Sequence, residues 1–105
     1  MIKTISNLLG LGPKADYAVL VKQGATILDV RSKEEYTAGH IKGSINIPVN
    51  VLHQHLGKLK DKSKPIITCC ASGMRSASAK SILTSSGYAQ VYNGGSWMSL
   101  IHKIK

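Results

Sequence analysis

The chain has 105 residues, 43% of them hydrophobic and 18% charged, which is one domain's worth of sequence with material for a single core and excludes a disordered chain. Fourteen Lys and Arg against five Asp and Glu leave a net charge of +9, a balance that attracts anions and acidic partners. Only two of the cations are Arg and no nucleic-acid-binding motif is present, so nucleic acid is excluded as the expected partner.

Ile2, Ile5, Leu8 and Leu9 recur at helical spacing, so residues 1–12 read as an amphipathic N-terminal segment preceding a domain over 13–105. The segment lacks the apolar run and cleavage site of a signal peptide. Asp16 caps a helix over Tyr17–Gln23, closed by Gly24. Ala25–Val30 reads as a buried strand. Ser32 and Glu35 form a capping box that opens a short helix ended by Gly39. Ser44–Ile47 is a strand stopped by Pro48. Asn50–Leu59 is a helix with Val51, Leu52, Leu56 and Leu59 on one face. Lys58, Lys60, Lys62 and Lys64 crowd the connection to Pro65–Cys69, the strongest strand in the chain. Ala71–Arg75 is a small-residue loop, Ser76–Ser86 a helix closed by Gly87, and Gln90–Tyr92 a strand. Asn93–Gly95 reads as a turn and Ser96–Ile104 as the last helix.

Strands alternating with helices imply an α/β fold, a mainly parallel sheet of about four or five strands with helices on both faces. In such sheets ligands sit beyond the carboxyl ends of the strands, and Cys70 lies at one. Cys69 and Cys70 are the two cysteines. Neighbours in sequence cannot staple distant parts of a fold, so no disulfide framework is expected and a reducing, cytoplasmic setting is. No run is long enough to span a bilayer.

The segment Cys70-Ala71-Ser72-Gly73-Met74-Arg75-Ser76 brings a thiol from the end of a buried strand to the start of a helix. Unpaired N–H groups and the dipole favour negative charge there, so thiolate formation is assisted. Gly73 lets the backbone curl so that several N–H groups face one point. Arg75 adds a cation suited to an anionic substrate, and Ser72 and Ser76 add hydroxyl donors. Alternation along the strand turns Cys69 away from Cys70 into the core.

That loop resembles the active-site loop of the rhodanese family. Leu28–Tyr36, with Asp29-Val30-Arg31, is similar to the family's first signature, Gly39–Pro48 to its second and Tyr92–Trp97 to its C-terminal segment. The resemblance covers roughly Asp16 to Leu100 and rests on four motifs in order. It implies a single rhodanese-like domain of the thiosulfate sulfurtransferase type. Sulfane sulfur would pass from thiosulfate or a persulfide donor to a thiol or cyanide acceptor as a Cys70 persulfide, with Ala71, Ser72, Gly73, Met74, Arg75 and Ser76 cradling the substrate.

Asp29, Arg31 and His40 read as structural or rim residues, with Arg31 expected to pair with Glu34 or Glu35. Trp97 reads as core and Lys80 as a solvated charge. His53, His55 and His102 have no partners at metal-ligand spacing, so no metal or other cofactor is expected. Two alternatives stand beside the enzyme. One is a persulfide carrier that works only on a partner, such as an acidic, thioredoxin-like protein. The other is a phosphatase of the cell-cycle dual-specificity type, whose resemblance implies a loop one residue longer than Cys70–Arg75.

Overall fold

The computed structural model describes residues 15–105; the helix expected within residues 1–12 lies outside them. Four strands, β1 (Thr26–Asp29), β2 (Ile45–Asn46), β3 (Ile66–Cys70) and β4 (Val91–Ser96), form one sheet in the order β2-β1-β3-β4. Every pairing is parallel. The helices are α1 (Tyr17–Lys22), α2 (Lys33–Ala38), α3 (Met74–Ser85) and α4 (Trp97–Lys103), with a 3₁₀ segment at Val49–Lys58 between β2 and β3.

β3 is buried at all five residues, as an apolar, β-branched run flanked by strands and covered on both faces must be. Ile66 and Cys70 pack with Leu28, Val30, Ile47, Leu52, Ala79 and Leu83 beneath the 3₁₀ segment and α3. Ile67 and Cys69 pack with Ile27, Ile41 and Leu100 beneath α1 and α4. Strand alternation therefore divides one sheet between two apolar layers, and the expected parallel α/β architecture is the one observed.

Local signals account for most element starts. Asp16 accepts from the Val19 amide and Ser96 from the Ser99 amide. Ser32 and Glu35 exchange both bonds of the capping box.

Three expectations need correction. Val49–Lys58 is 3₁₀ rather than α-helical, interrupted at His55. Leu52 and Leu59 are buried as expected, but the Tyr88 hydroxyl donates to the carbonyls of Leu56, at 3.2 Å, and Leu59, at 2.7 Å. The core thus satisfies the segment's end in a form an α-helical repeat does not anticipate. α3 begins at Met74 and not at Ser76, because Gly73, at φ +105°, takes the left-handed conformation at its N-cap. Asn93–Gly95 is not a turn: β4 runs through it, with a register shift against β3 between Thr68 and Cys70. Gly94 explains the difference. A Cβ there would lie 2.9 Å from both Ile67 Cγ2 and the Thr68 carbonyl oxygen, so the glycine serves a close strand approach.

Candidate active site

β3 ends on Cys70, and the chain reverses through Ala71 and Ser72 into α3. The Cys70 side chain is buried at the floor of this loop. The Gly73 amide donates to Sγ at 2.9 Å, and Ser76 Oγ lies 3.5 Å from the sulfur. Burial pushes the thiol pKa up, but the Ser76 hydroxyl and the amides of Ser76, Gly73 and Ser72 pull it down further, and the net shift is downward. α3 has no side-chain N-cap, so its first amides are left for the sulfur rather than for a capping oxygen.

Cys69, one residue earlier, faces the opposite layer. Burial, reinforced by the nearby Asp29 charge, pushes its thiol up to about 12. The two thiols belong to separate apolar layers and are both free.

Thr68 anchors the loop from below. Its buried hydroxyl donates to the Ser76 carbonyl at 2.9 Å, and lies 3.3 Å from that of Tyr92. Ser76 is itself fully buried, with its hydroxyl 2.6 Å from Asn93 Oδ1 and 3.0 Å from the Gly73 carbonyl. Ala71, Ser72 and Met74 form the solvent side of the loop, with Met74 79% exposed.

Arg75 does not stand free at the rim. Its two Nη groups donate to the two carboxylate oxygens of Glu35, at 2.7 and 3.0 Å. Glu35 also accepts from the Ser32 amide and hydroxyl. The Arg75 guanidinium, followed by the Ser32 amide, holds the Glu35 carboxyl down at about 2. One carboxylate therefore caps α2 and clamps it to the Cys70 loop.

Arg31 pairs with neither Glu34 nor Glu35, the acids its spacing offers. Its guanidinium is turned into the domain and donates to Asp29, with Nη2 at 2.7 Å from Oδ2. The same nitrogen reaches the Gly39 carbonyl at 2.7 Å, and the group lies over the Trp97 ring, 4.7 Å from its centroid. Burial decides the partner: Asp29 is fully buried and needs a cation, whereas Glu34 is exposed. His40 stacks on Tyr36, and its Nδ1 lies 2.7 Å from the Tyr36 carbonyl. Trp97 packs against the layer that holds Cys69, and Lys80 is exposed.

Comparison with known families matches residues 14–97 to the rhodanese-like domain. The chain belongs to the rhodanese-like family. The uncharacterized protein YibN of Escherichia coli K12 is 38% identical over 73 residues, which cover 68% of this chain. The chain spans about half the length of that relative, 51%. Thiosulfate sulfurtransferase GlpE of Pseudomonas fluorescens is 35% identical over 81 residues, covering 77% of this chain and 73% of that protein. A solved rhodanese with anions from E. coli superposes with a TM-score of 0.67 at 34% identity, covering 72% of this chain and 91% of the other.

Within this rhodanese-like domain the motif segments meet through side chains. The first supplies Asp29, Arg31 and Glu35; the second supplies the Gly39 carbonyl to Arg31; the last supplies Asn93 to Ser76 and Trp97 to Arg31. Two of these roles were missed in the sequence. By spacing, Glu35 reads as the capping partner of Ser32 or an ion-pair partner of Arg31, not of Arg75, and Asn93 reads as part of a turn. For Glu35 the available signal was the scarcity of acids, five in the chain against 14 Lys and Arg. Among the described residues, no three His, Cys, Asp or Glu gather to hold a metal. No described helix is long and apolar enough to cross a membrane.

Proposed function

We propose that the chain is a sulfurtransferase of the thiosulfate type, carrying sulfane sulfur as a persulfide on Cys70. The carrying observation is the Cys70 sulfur itself, buried yet turned toward its thiolate by converging donors. Relatives bearing the name thiosulfate sulfurtransferase, at 35% and 36% identity, support the same reading.

In the first step the Cys70 thiolate attacks the outer sulfur of thiosulfate. The new S–S bond forms as the old one breaks, and sulfite leaves with the bonding pair. The persulfide left on Cys70 is an anion that needs N–H donors around it, as an oxyanion does. The amides of Ser72, Gly73 and Ser76, which already act on the Cys70 sulfur, support that role. In the second step a thiolate or cyanide acceptor attacks the outer sulfur and the Cys70 thiolate departs, giving two displacements and ping-pong kinetics. The bonds to Glu35 use only part of the Arg75 guanidinium, whose side chain remains 39% exposed. We assign it the rim cation that orients an anionic donor. The net charge of +9 draws such donors in. Turnover at low thiosulfate is then expected to fall with inert salt, as screening shortens the field to ~10 Å at 0.1 M. Two free cysteines suit a reducing, cytoplasmic setting.

The highly exposed Met74 beside the buried sulfur favours a second reading. On it the domain is a persulfide carrier that loads and unloads only against a partner thiol, with acidic proteins as the partners suited to its charge. Intact mass after incubation with thiosulfate separates the two. The enzyme gains one sulfur atom on Cys70 and returns it to cyanide as thiocyanate. A chain that stays unmodified with thiosulfate but is loaded by a protein persulfide is a carrier. A chain that takes up sulfur from neither refutes both.

A further inference from the structure

The Ser76 hydroxyl has one proton and three neighbours able to claim it. Asn93 Oδ1 lies at 2.6 Å, the Gly73 carbonyl oxygen at 3.0 Å and Cys70 Sγ at 3.5 Å. Asn93 makes the closest contact, so the proton rests there while Cys70 is a thiol, and the S–H can donate to the free lone pair of Ser76 Oγ. A thiolate reverses this need. It has no proton to give and takes hydrogen bonds, as it already does from Gly73.

Asn93 is suited to release the proton without loss. Its Oδ1 also accepts from the Gly95 amide at 2.9 Å, so the oxygen keeps a partner when the Ser76 hydroxyl turns away. Its Nδ2 lies 3.4 Å from the Gly73 carbonyl oxygen, the other acceptor competing for the same proton. The Tyr17 hydroxyl, at 3.2 Å from the Asn93 backbone carbonyl, ties the residue to α1. The charged groups around the loop include Arg75 of α3, its partner Glu35 of α2, and the Asp29–Arg31 pair at the end of β1, and Lys80 of α3 lies on the side of Asn93. None of them bonds to the Ser76 hydroxyl.

We propose that Asn93 is a positioning residue that sets a two-position proton switch on Ser76. The hydroxyl donates to Asn93 when Cys70 carries a proton, and to the sulfur when Cys70 carries negative charge. One bond breaks, the Cys70 S–H, whose electron pair stays on the sulfur while the proton leaves to solvent; the Ser76 O–H only rotates. The proposal rests on the sulfur-transfer reading only for when the switch is used, since thiolate and persulfide anion alternate in that cycle. Its test needs no turnover.

The rate of Cys70 alkylation by iodoacetamide against pH, on the full chain, gives the thiol pKa. Asn93→Asp keeps the shape of the side chain but replaces the amide with a carboxylate that retains the Ser76 proton. It is expected to raise the Cys70 pKa by about one unit or more. In a Ser76→Ala background the same substitution is expected to lose most of that effect. An unchanged alkylation profile in Asn93→Asp overturns the switch, and so does an equal shift with and without Ser76, which marks simple charge repulsion.

A second measurement uses the unmodified residue at 93 and is independent of how the Asp variant folds. As Cys70 deprotonates, Gly95 becomes the main donor to Asn93 Oδ1, so its amide proton resonance should move downfield with the Cys70 midpoint. The shift should vanish in Ser76→Ala. A Gly95 amide that is silent through the Cys70 titration, or that shifts equally without Ser76, refutes the proposal.

Discussion

Cys69 and Cys70 are consecutive in β3 and are driven in opposite directions. Cys69 sits in the layer shared with Ile67 and Leu100, where burial and Asp29 push its thiol up to about 12. Cys70 sits in the layer shared with Val30 and Leu83; burial raises its thiol as well, but the donors of the loop outweigh it and shift it down. The strand's pleat separates the two side chains, and the donors at the start of α3 favour the thiolate of Cys70 alone.

Substitution should separate the pair cleanly. Cys70→Ser is expected to abolish sulfur uptake from thiosulfate. Cys69→Ala, which avoids burying a hydroxyl, should keep most of it. Near neutral pH iodoacetamide should label Cys70 alone, with Cys69 reacting only on unfolding. Equal loss of uptake in two folded variants would sink the assignment of roles.

Glu35 gives an acid-side signature. Its folded pKa of about 2 lies below its ordinary value of 4.5. A depressed carboxylate contributes stability that is fully present above the unfolded value and lost as pH falls through the folded one. The clamp between α2 and the loop should therefore weaken from about pH 4.5 down to about 2. In Glu35→Gln this limb of the stability profile should flatten, measured as thermal midpoint against pH. Both side chains of the pair are more than a third exposed, so the change at neutral pH should be small. Arg75→Ala should lower kcat/KM for thiosulfate more than Glu35→Gln does. Arg75→Lys should recover only part, because it keeps the charge and loses the fork. An acid limb identical in wild type and Glu35→Gln, or an Arg75→Ala variant with wild-type thiosulfate use, would contradict the clamp or the rim role in turn.

The buried pair at the end of β1 is a matter of stability rather than chemistry. Arg31 is a buried residue, 4% exposed, and Asp29→Ala leaves its guanidinium with only the Gly39 carbonyl and the Trp97 face as partners. Breaking a buried ion pair from one side costs about 3–5 kcal/mol, a large share of the ~5–15 kcal/mol that holds a domain together. Urea unfolding should show a lowered midpoint with little change in slope. A midpoint within experimental error of wild type would mean that the pair is dispensable.

The parts of the fold legible in the sequence are those written in local signals. The alternation of strands and helices, the caps at Asp16 and Ser32, and the opposite facing of Cys69 and Cys70 all follow from spacing of a few residues. What was not legible depends on partners far along the chain. Glu35 is 40 residues from Arg75, and nothing in the capping box announces a second duty. Arg31 takes Asp29 because of burial, which charge spacing does not reveal. Asn93-Gly94-Gly95 has turn composition, yet Gly94 is small because β3 lies beneath it. The end of the 3₁₀ segment Val49–Lys58 is held by Tyr88, 29 residues beyond Leu59.

Gly94 supplies the sharpest test of that last distinction. If the segment were a turn, a methyl group there would cost little. In the strand, the added Cβ meets Ile67 Cγ2 and the Thr68 carbonyl oxygen at 2.9 Å and Leu100 Cδ2 at 3.0 Å. The Thr68 oxygen is backbone of the central strand and cannot step aside, so β4 must move. Overpacking of this kind costs about 1–3 kcal/mol. The displacement falls on Asn93, one residue away, and on the Tyr92 carbonyl beside the Thr68 hydroxyl. Gly94→Ala should therefore lose sulfur transfer at temperatures where it is still folded. Gly57→Ala is the control, since a Cβ at Gly57 meets nothing within 4 Å, and its stability should stay within about 0.5 kcal/mol of wild type. Thermal unfolding and thiosulfate kinetics on both variants decide the matter. Equal behaviour of Gly94→Ala and Gly57→Ala would remove the steric account of β4 and, with it, the reason for reading Asn93 as a fixed part of the site.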